Sequence, residues 1–191
     1  MLAAPEGTEI TRPTSDRVKE NIFNIIAPYL SNSIALDLFA GSGALGIEAL
    51  SRGADHVVFV EKNAKALNIL QKNLDHVQAE KKSYTVVSAD VEAFLQNPQM
   101  YLNRAGVGES FAASINLIFA DPPYALDWYD RAIAQFEQGR LCAEDCLVVL
   151  EMAYNLQLLL PEQSLWQRKD ERKYGKTRLE LWRRTSMEPE S

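Results

Sequence analysis

The sequence predicts an α/β fold in which a mostly parallel sheet is covered by helices on both faces. Short apolar runs alternate along the chain with segments of helical periodicity, which is the pattern of βαβ units with right-handed crossovers. The runs are continuously apolar, as in strands that are buried on both faces. The first run leads into a glycine-rich loop of the form G-x-G-x-x-G. Because ligands bind such sheets at the carboxyl ends of the strands, we expect the functional residues at one edge.

The first predicted element is a helix that follows an irregular segment, residues 1–14. Apolar residues recur on one helical face from Val18 to Tyr29, so the helix is expected to start at Ser15 and to stop at Asn32-Ser33. Buried strands follow as apolar runs at residues 34–39, 57–60, 84–88, 115–120 and 147–150. The helices predicted between them lie at residues 44–52, 64–77, 91–95 and 128–138.

The C-terminal part of the chain is predicted to add a β-hairpin. Its strands lie at about residues 166–173 and 178–183, and a turn at Tyr174-Gly175-Lys176 joins them. The stretch 97–114, which contains Pro98, Gly106 and Gly108, is expected to be a loop. Repeats and low-complexity segments are absent, so residues 1–191 are predicted to form a single domain.

Composition excludes several classes of protein. A chain of 191 residues that is 47% hydrophobic and 24% charged is typical of a globular protein, and differs from a disordered tail, a collagen or a coiled coil. No apolar run approaches the ~20 residues of a membrane span, and the N-terminus lacks the pattern of a signal peptide. We therefore expect a cytoplasmic protein. Cys142 and Cys146 are interpreted as free thiols, with no metal site.

Charge is distributed unevenly along the chain. The net charge of −6 is unusual for a nucleic-acid-binding protein, which normally presents a basic face. However, the stretch from Leu165 to Arg184 contains eight Lys or Arg residues and three acidic ones. This basic hairpin is either a solvated edge that resists aggregation or a surface that contacts nucleic acid.

The glycine loop is the first motif that carries chemistry. Gly41, Gly43 and Gly46 allow a sharp turn from strand to helix and the approach of a ligand to the backbone. The same spacing occurs in nicotinamide- and flavin-binding proteins. Asp37 lies inside the strand, where its charge favours a cationic ligand, such as an α-amino group or a sulfonium, over a pyrophosphate. Phe39 can form the wall of an apolar pocket. The alternative is a tight turn that binds nothing.

Two acidic residues follow the next two strands. Glu61 can accept hydrogen bonds from both ribose hydroxyls of a nucleoside, although an acid at this position is often only a charge near a helix N-terminus. In Ser88-Ala89-Asp90, the aspartate can reach an adenine amino group or cap the short helix that follows. Both roles can hold at once.

The fourth strand is followed by Asp121-Pro122-Pro123-Tyr124. The two prolines restrict the backbone, so Asp121 and main-chain carbonyls are presented as rigid acceptors and Tyr124 as a stacking surface. Acceptors on both N–H bonds of an exocyclic base amine expose its lone pair, and stacking aligns the amine with a methyl donor. Such a site works by positioning and electrostatics, without a covalent intermediate. The alternative is an ordinary Pro-Pro turn.

The segment from Thr11 to Glu20 leads into the first helix. Arg12 offers a bidentate partner for a carboxylate, and Thr14 or Ser15 can cap the helix. Taken alone, the segment is a capped amphipathic helix that covers the sheet.

Together these motifs resemble the class I S-adenosylmethionine-dependent amino-methyltransferases, and most closely the bacterial RsmD family. The resemblance rests on Thr-Arg-Pro-Thr-Ser-Asp-Arg-Val-Lys-Glu from Thr11, on the loop from Asp37 to Gly46, on the Asp-Pro-Pro-Tyr motif and on Tyr174-Gly175-x-Thr177. RsmD enzymes methylate N2 of a guanine in 16S ribosomal RNA. The Asp-Pro-Pro-Tyr motif is shared with DNA amino-methylases, and the Thr-Arg-Pro-Thr segment is the more discriminating part.

The resemblance implies a Rossmann-like, doubly wound, seven-stranded sheet whose last strand is antiparallel. It also implies a role for each candidate residue. The residues that bind the cofactor S-adenosylmethionine are Asp37, Phe39, Gly41, Gly43, Gly46, Glu61 and Asp90, with Arg12 and Thr14 beside its methionine end. The residues that hold a flipped base are Asp121, Pro122, Pro123 and Tyr124. The residues on the same rim that contact RNA are Lys173, Tyr174, Lys176 and Arg178.

The chain departs from the family pattern at its start. Family members usually carry a short basic segment ahead of the Pro-x-Gly that matches Pro5-Glu6-Gly7, whereas this chain starts at Met1-Leu2. Either the sequence is truncated at its start or this member lacks the segment, and the RNA affinity that the segment would contribute depends on which of the two holds.

Several further expectations complete the hypothesis. We expect 16S rRNA or a small-subunit assembly intermediate as partner, a monomer, and neither membrane nor metal. The alternatives are a DNA adenine or cytosine amino-methylase, a nicotinamide-dependent oxidoreductase, and a cofactor-binding module that clamps RNA without turnover.

Overall fold

A computed structural model of the protein describes residues 2, 12–108, 111–122, 126–137, 141–158, 160 and 164–185. For residues 12–16, 126, 127 and 130 it describes the backbone alone. The strands are β1 (Ile34–Asp37), β2 (His56–Glu61), β3 (Tyr84–Ser88), β4 (Leu117–Ala120), β5 (Leu147–Ala153), β6 (Trp166–Tyr174) and β7 (Thr177–Arg184). The α-helices are α1 (Arg12–Ile26), α2 (Ala44–Ser51), α3 (Ala64–His76), α4 (Val91–Gln96), α5 (Pro98–Arg104) and α6 (Leu126–Glu137).

All seven strands form one sheet in the order β3-β2-β1-β4-β5-β7-β6. The pairs from β3 to β5 are parallel, and β7 runs antiparallel to both β5 and β6. The direction of winding reverses between β1 and β4, which is the switch point where an α/β sheet opens a crevice for ligands. The predicted fold class is therefore confirmed, including the antiparallel last strand.

The core has two layers, one on each face of the sheet. On one face the sheet packs against α4, α5 and α6, whose buried residues include Phe94, Leu102 and Phe136. On the other face it packs against α1, α2 and α3, through residues such as Phe23, Ile47 and Leu70. The inner strands β1, β2, β4 and β5 are buried on both sides, which explains why they are nearly continuous apolar runs in the sequence.

The C-terminal hairpin returns to the edge of the sheet that holds the strand carboxyl ends. Ala153, the last residue of β5, pairs with Thr177, the first residue of β7. The turn that precedes Thr177 is therefore at the same edge as the residues that follow β4, and the predicted position of this turn is confirmed. Gly175 adopts φ +59° in this turn, a conformation that glycine reaches without a Cβ penalty.

Two predictions about local structure were wrong. Helix α1 begins at Arg12 rather than Ser15, so the segment 1–14 is not irregular throughout, and Thr14 lies inside the first turn instead of capping it. Pro13 is tolerated there because N–H groups of a first turn have no intrahelical partner. The expected loop 97–114 contains α5 and a 3-10 turn, Phe111–Ser114. Pro98 starts α5, where its fixed φ suits a helix and its missing N–H costs nothing.

Three smaller findings complete the fold. Cys142 and Cys146 are buried free thiols, as predicted. Within the part of the chain that the structure describes, no helix has the length and apolar character that crossing a bilayer requires. The described residues also contain no group of three or more metal-ligating side chains, and a reaction without metal stays a prediction.

Candidate active site

A cavity of about 540 Å³ opens at the carboxyl edge of the sheet. This volume is in the range of sites that hold a cofactor-sized ligand. The residues that line it follow or end β1, β2, β3 and β4, and they are Phe39, Val60, Glu61, Lys62, Asn63, Asp90, Val91 and Asp121. The structure therefore brings together Phe39, Glu61, Asp90 and Asp121 among the predicted site residues.

The three glycines of the loop have different physical roles. A Cβ on Gly43 would lie 2.3 Å from Leu70 Cδ1, and a Cβ on Gly46 would lie 2.2 Å from the Phe59 ring. These two glycines are required for the packing of α2 and its loop against α3 and β2. Gly41, with φ +53°, has no atom closer than 3.8 Å to its ideal Cβ. Only Gly41 of the three has open space in the direction of its Cβ, and the predicted contact of the three glycines with a ligand stays a prediction.

Asp37, the last residue of β1, is hydrogen-bonded to the glycine loop. Its side chain is 3% exposed, and its Oδ2 accepts a hydrogen bond of 3.0 Å from the backbone N–H of Gly46. Burial raises the pKa of Asp37 to about 7, and the charges of Asp121 and Glu61 add to this effect, whereas the Gly46 hydrogen bond opposes it. A buried carboxyl with a raised pKa favours a positive ligand nearby, which stabilises its ionised form.

Glu61 connects the end of β2 to the glycine loop. Its Oε2 accepts from the Gly41 N–H at 2.9 Å, and its Oε1 accepts from the N–H groups of Lys62 and Asn63 at 2.8 and 2.7 Å. Each carboxylate oxygen has two lone pairs, so one on Oε2 remains for a ligand hydroxyl. The predicted ribose contact has an available acceptor on this oxygen.

Asp90 caps α4 and pairs with a lysine. Its Oδ1 accepts from the N–H groups of Glu92 and Ala93 at 2.9 and 3.4 Å, which confirms the predicted N-cap. Its Oδ2 is 2.9 Å from Lys62 Nζ. The Lys62 hydrogen bond lowers the pKa of Asp90, and the backbone hydrogen bonds lower it further. The predicted contact with an adenine amino group stays a prediction.

Two aromatic rings form an apolar wall at this edge of the sheet. The rings of Phe39 and Trp128 meet edge to face with centroids 4.8 Å apart. Both rings also line an adjoining cavity of about 140 Å³, together with Pro122 and Arg131. Trp128 was not among the predicted site residues, although its position at the start of the helix after the Asp-Pro-Pro-Tyr motif could have indicated it.

Asp121 lies directly beyond β4 and lines the larger cavity. The residue is exposed where it faces the cavity. The protein that surrounds the end of the strand removes part of the water from its carboxylate, and this desolvation raises the pKa of Asp121 to about 6. Pro122 is buried beside it. Pro123 and Tyr124 lie outside the described residues, so their predicted roles stay predictions.

Glu151 is a candidate site residue that the sequence analysis missed. It lies on β5, and the pairing of Ala120 with Leu150 places it next to Asp121 across the two strands. Burial raises the pKa of Glu151 to about 7, and the charge of Asp121 adds to this effect. A signal was present in the sequence, because Glu151 interrupts an otherwise apolar run.

Asn73 was also missed. It is a buried residue of α3, and its Nδ2 donates a hydrogen bond of 2.8 Å to the carbonyl of Ser42 in the glycine loop. The sequence signal was a polar residue inside the apolar stripe of a predicted helix.

The first turn of α1 holds Arg12 and Thr14, whose side chains lie outside the described part of the chain. Their predicted position beside the methionine end of the cofactor stays a prediction. The matching motif residues at positions 5–7 also lie outside the described residues.

The basic hairpin presents some of its predicted RNA-binding residues and buries one. Lys173 and Lys176 are exposed near the turn, and Lys173 Nζ lies 3.6 Å from a carboxylate oxygen of Glu171. Tyr174 is half-buried and packs against the core layer of α1, α2 and α3.

Arg178 corrects the predicted RNA-binding set. It is 6% exposed, its Nε lies 2.9 Å from Glu180 Oε1, and its Nη2 donates to Leu156 O. Since strand alternation turns this side chain into the interior, Arg178 neutralises a buried glutamate and cannot contact RNA at the surface.

Comparison with known proteins agrees with this geometry. The family model described as conserved hypothetical protein 95 matches residues 1–183. The ribosomal RNA small subunit methyltransferase D of Haemophilus influenzae is 34% identical over 155 residues, which cover 81% of this chain and 75% of that protein. The protein of the same name from Escherichia coli is 33% identical over 140 residues, covering 73% of this chain and 63% of that protein.

Solved structures share the fold. The Escherichia coli protein yhhF has a TM-score of 0.78 at 30% identity, covering 96% of this chain and 91% of that one. SMU.776, a structure complexed with SAH, has a TM-score of 0.67 at 14% identity, covering 87% of this chain and 48% of that one. The architecture is that of the class I S-adenosylmethionine-dependent methyltransferases, and the resemblance found in the sequence is confirmed. The chain therefore belongs to the family described as conserved hypothetical protein 95, which is the RsmD family.

Proposed function

We propose that this protein transfers a methyl group from S-adenosylmethionine to the exocyclic N2 amine of a guanine in 16S rRNA. Family membership supports the coarser part of this statement, an S-adenosylmethionine-dependent rRNA methyltransferase. The observation that carries the rest is one cavity in which nucleoside acceptors, Glu61 and Asp90, lie beside the carboxylate of Asp121.

The residues of the cavity fit the cofactor. Glu61 Oε2 retains an acceptor site for a ribose hydroxyl, and Phe39 and Val91 offer apolar surface to a purine ring. Asp37 and Asp121 supply negative charge where the positive end of the ligand would lie. When bound, S-adenosylmethionine supplies an electrophilic methyl group on a positively charged sulfur.

The chain's own contribution to the reaction is the positioning of the target amine. The amine of guanine is a weak nucleophile because its lone pair is delocalised into the ring. Asp121 accepts one N–H, a backbone carbonyl of the Asp-Pro-Pro-Tyr segment accepts the other, and Tyr124 stacks on the flipped base. Asp121, whose pKa is about 6, is ionised at neutral pH and accepts the proton that the amine loses after transfer.

The basic hairpin supports the choice of RNA as partner. Its turn lies on the same edge of the sheet as Asp121, so Lys173 and Lys176 can contact phosphates that flank the flipped nucleotide. We expect 16S rRNA, naked or within an assembling small subunit, to bind a monomer of this protein in the cytoplasm.

Transfer of label tests the proposal. Purified protein and radiolabelled S-adenosylmethionine should label undermethylated small subunits or naked 16S rRNA, and nucleoside mass spectrometry should identify N2-methylguanosine. Absence of label on both forms would show that the substrate assignment is wrong. Mass spectrometry of rRNA nucleosides from cells that lack the gene gives an independent check.

The same assays separate the alternatives. Label on plasmid DNA in place of RNA would indicate a DNA amino-methylase. Calorimetry should detect binding of S-adenosylhomocysteine and none of NADH, whereas the reverse would indicate an oxidoreductase. Unchanged turnover after Asp121→Ala would favour an RNA clamp.

A further inference from the structure

Three carboxylates lie on one face of the sheet, at its carboxyl edge. Asp37 pairs in register with Phe119, and Phe119 pairs with Val149. Side chains alternate between faces along a strand, so Asp121 and Glu151, two residues further on, lie on the same face as Asp37. The charge of Asp121 raises the pKa of both Asp37 and Glu151, which agrees with this proximity. We call Asp37, Asp121 and Glu151 the carboxylate row.

The position of Glu151 within the row relates it to the target base. The strand order β3-β2-β1-β4-β5 places Glu61 and Asp90 on one side of Asp121 and Glu151 on the other. If the cofactor lies over Glu61 and Asp90, the amine at Asp121 lies between the cofactor and Glu151. The rest of the base must then extend towards β5 or away from the sheet edge.

Glu151 has acceptor capacity to spare. Its backbone carbonyl accepts a hydrogen bond of 2.7 Å from the Tyr129 hydroxyl, which fixes the main chain at this point. No side chain in the described part of the chain donates a hydrogen bond to its carboxylate. Burial raises the pKa of this group to about 7, so a hydrogen-bond donor from a ligand would stabilise its ionised form.

Guanine carries a donor at the required place. Its N1–H is adjacent to the N2 amine, whereas adenine N1 and cytosine N3, which flank the amines of those bases, are acceptors. A carboxylate accepts from N1–H and repels a ring nitrogen lone pair. A site that hydrogen-bonds one base edge rejects the edge that lacks the group, because its own polar atom is left unpaired.

We propose that Glu151 is a specificity-determining residue, whose carboxylate accepts the N1–H of the target guanine while Asp121 holds the adjacent amine. This inference rests on the proposed function and names the feature of the base that the site selects. It accounts for a second carboxylate at the site, which methyl transfer by itself does not require.

The test compares guanosine with 2,6-diaminopurine riboside at the target position. Diaminopurine keeps the 2-amine but has an acceptor at N1 in place of the N–H. Once the methylated nucleotide has been mapped, each base is placed there by ligation of 16S rRNA around one synthetic nucleotide. The RNA is supplied naked and in reconstituted small subunits, and kcat/KM is measured for both bases.

We expect the wild type to prefer guanosine by about tenfold or more. Glu151→Gln should reduce this ratio to within about twofold of unity or invert it, because the amide can donate to the N1 of diaminopurine. Glu151→Asp should keep a preference for guanosine, at a lower rate. The matched control is Glu144→Gln, an exposed glutamate before β5 at the opposite edge of the sheet, which should leave the ratio unchanged.

The outcomes separate this inference from the proposed function. Retention of the full guanosine preference by Glu151→Gln would overturn the inference while leaving the proposed function intact. Failure of the wild type to methylate the guanosine RNA would overturn both. If Glu151→Gln does not fold, as judged by thermal unfolding and binding of S-adenosylhomocysteine, the ratio of Glu151→Asp decides: loss of its preference for guanosine contradicts the inference.

Discussion

Two regions at the carboxyl edge of the sheet satisfy their polar groups in different ways, and we call them the two halves of the site: the cavity side of β1 to β3, and the side of Asp121 and Glu151. On the side of β1 to β3, Glu61 accepts three backbone hydrogen bonds and Asp90 accepts two and an ion pair, so the protein itself completes this half. On the side of β4 and β5, withdrawal from water raises the pKa of Asp121 and of Glu151, and the charge of Asp121 adds to the effect on Glu151. The first half is preorganised, and the second retains polar capacity that a ligand must satisfy. On the proposed function, preformed acceptors hold the nucleoside part of the cofactor, whereas the cationic end of the cofactor and the target base depend on the charge of the carboxylates.

The largest expected effect is a loss of turnover when Asp121, in the second half of the site, is replaced. Asp121→Ala removes the acceptor of the target amine and should lower kcat by about 10²–10³-fold, the cost of losing one preorganised polar contact. The affinity for S-adenosylhomocysteine should stay within about tenfold, or ~1.4 kcal/mol, measured by calorimetry. Asp55→Ala, an exposed aspartate before β2, is the control. A loss of cofactor affinity as large as the loss of turnover would contradict the division into two halves.

The next effect concerns packing in the first half. Gly46→Ala places a methyl group in the ring of Phe59 and should lower the free energy of unfolding by about 2–3 kcal/mol. A methyl group at Gly41 makes only an ordinary contact, 3.8 Å from the Phe39 carbonyl, but φ is unfavourable there, so Gly41→Ala should cost only about 1 kcal/mol. Urea denaturation measures both changes in the free energy of unfolding. Equal destabilisation by both changes would show that Gly46 does not pack as described.

A smaller effect is expected from pH. The carboxylate row has pKa values of about 6 to 7, so at pH 5.5 it is largely protonated and at pH 7.5 largely ionised. A cation binds the ionised row better, and its binding releases protons at the lower pH. The affinity for S-adenosylmethionine should therefore rise by about tenfold between these pH values, and that for S-adenosylhomocysteine by less. Calorimetry at both pH values measures the two affinities. An equal change of affinity with pH for the two ligands would contradict the prediction.

The smallest effect is expected at the basic hairpin. Lys173→Ala and Lys176→Ala should each weaken RNA binding a few-fold and reduce the slope of log affinity against log salt by about 1. Lys81→Ala, before β3 at the opposite edge of the sheet, is the matched control. Filter binding over a range of salt concentrations measures these slopes. A hairpin that serves only as a solvated edge would show the same slope for all variants.

The sequence predicted the sheet well because its information is local. Continuous apolar runs, the loop glycines and the cap at Asp90 each determine a short segment, and the structure agrees. The expected loop at 97–114 failed because Pro98 was treated as a helix breaker, although proline at a first helical position favours a helix. Whether a strand residue faces the interior or the solvent depends on what packs against the strand, which the local sequence does not show. This explains why Arg178 was wrongly predicted to contact RNA.

Site residues that directly follow a strand could be predicted from the sequence, whereas residues placed by the pairing of two strands or by helix packing could not. Glu61, Asp90 and Asp121 each follow a strand, so the topology alone brings them to one edge. Glu151 enters through the register of β5 with β4, and Asn73 enters through the contact of a helix with a loop 31 residues earlier in the chain. Neither relation can be obtained from spacing along the sequence.

The carboxylate row has a consequence for the release of spent cofactor. On the proposed function, methyl transfer would remove the positive charge from the sulfur, and Asp37 and Asp121 would lose their counter-ion when the product forms. Their mutual repulsion then returns and weakens the hold on the neutral thioether. The same negative charges that draw the donor into the crevice thereby help to expel what is left of it, and the enzyme can begin another cycle.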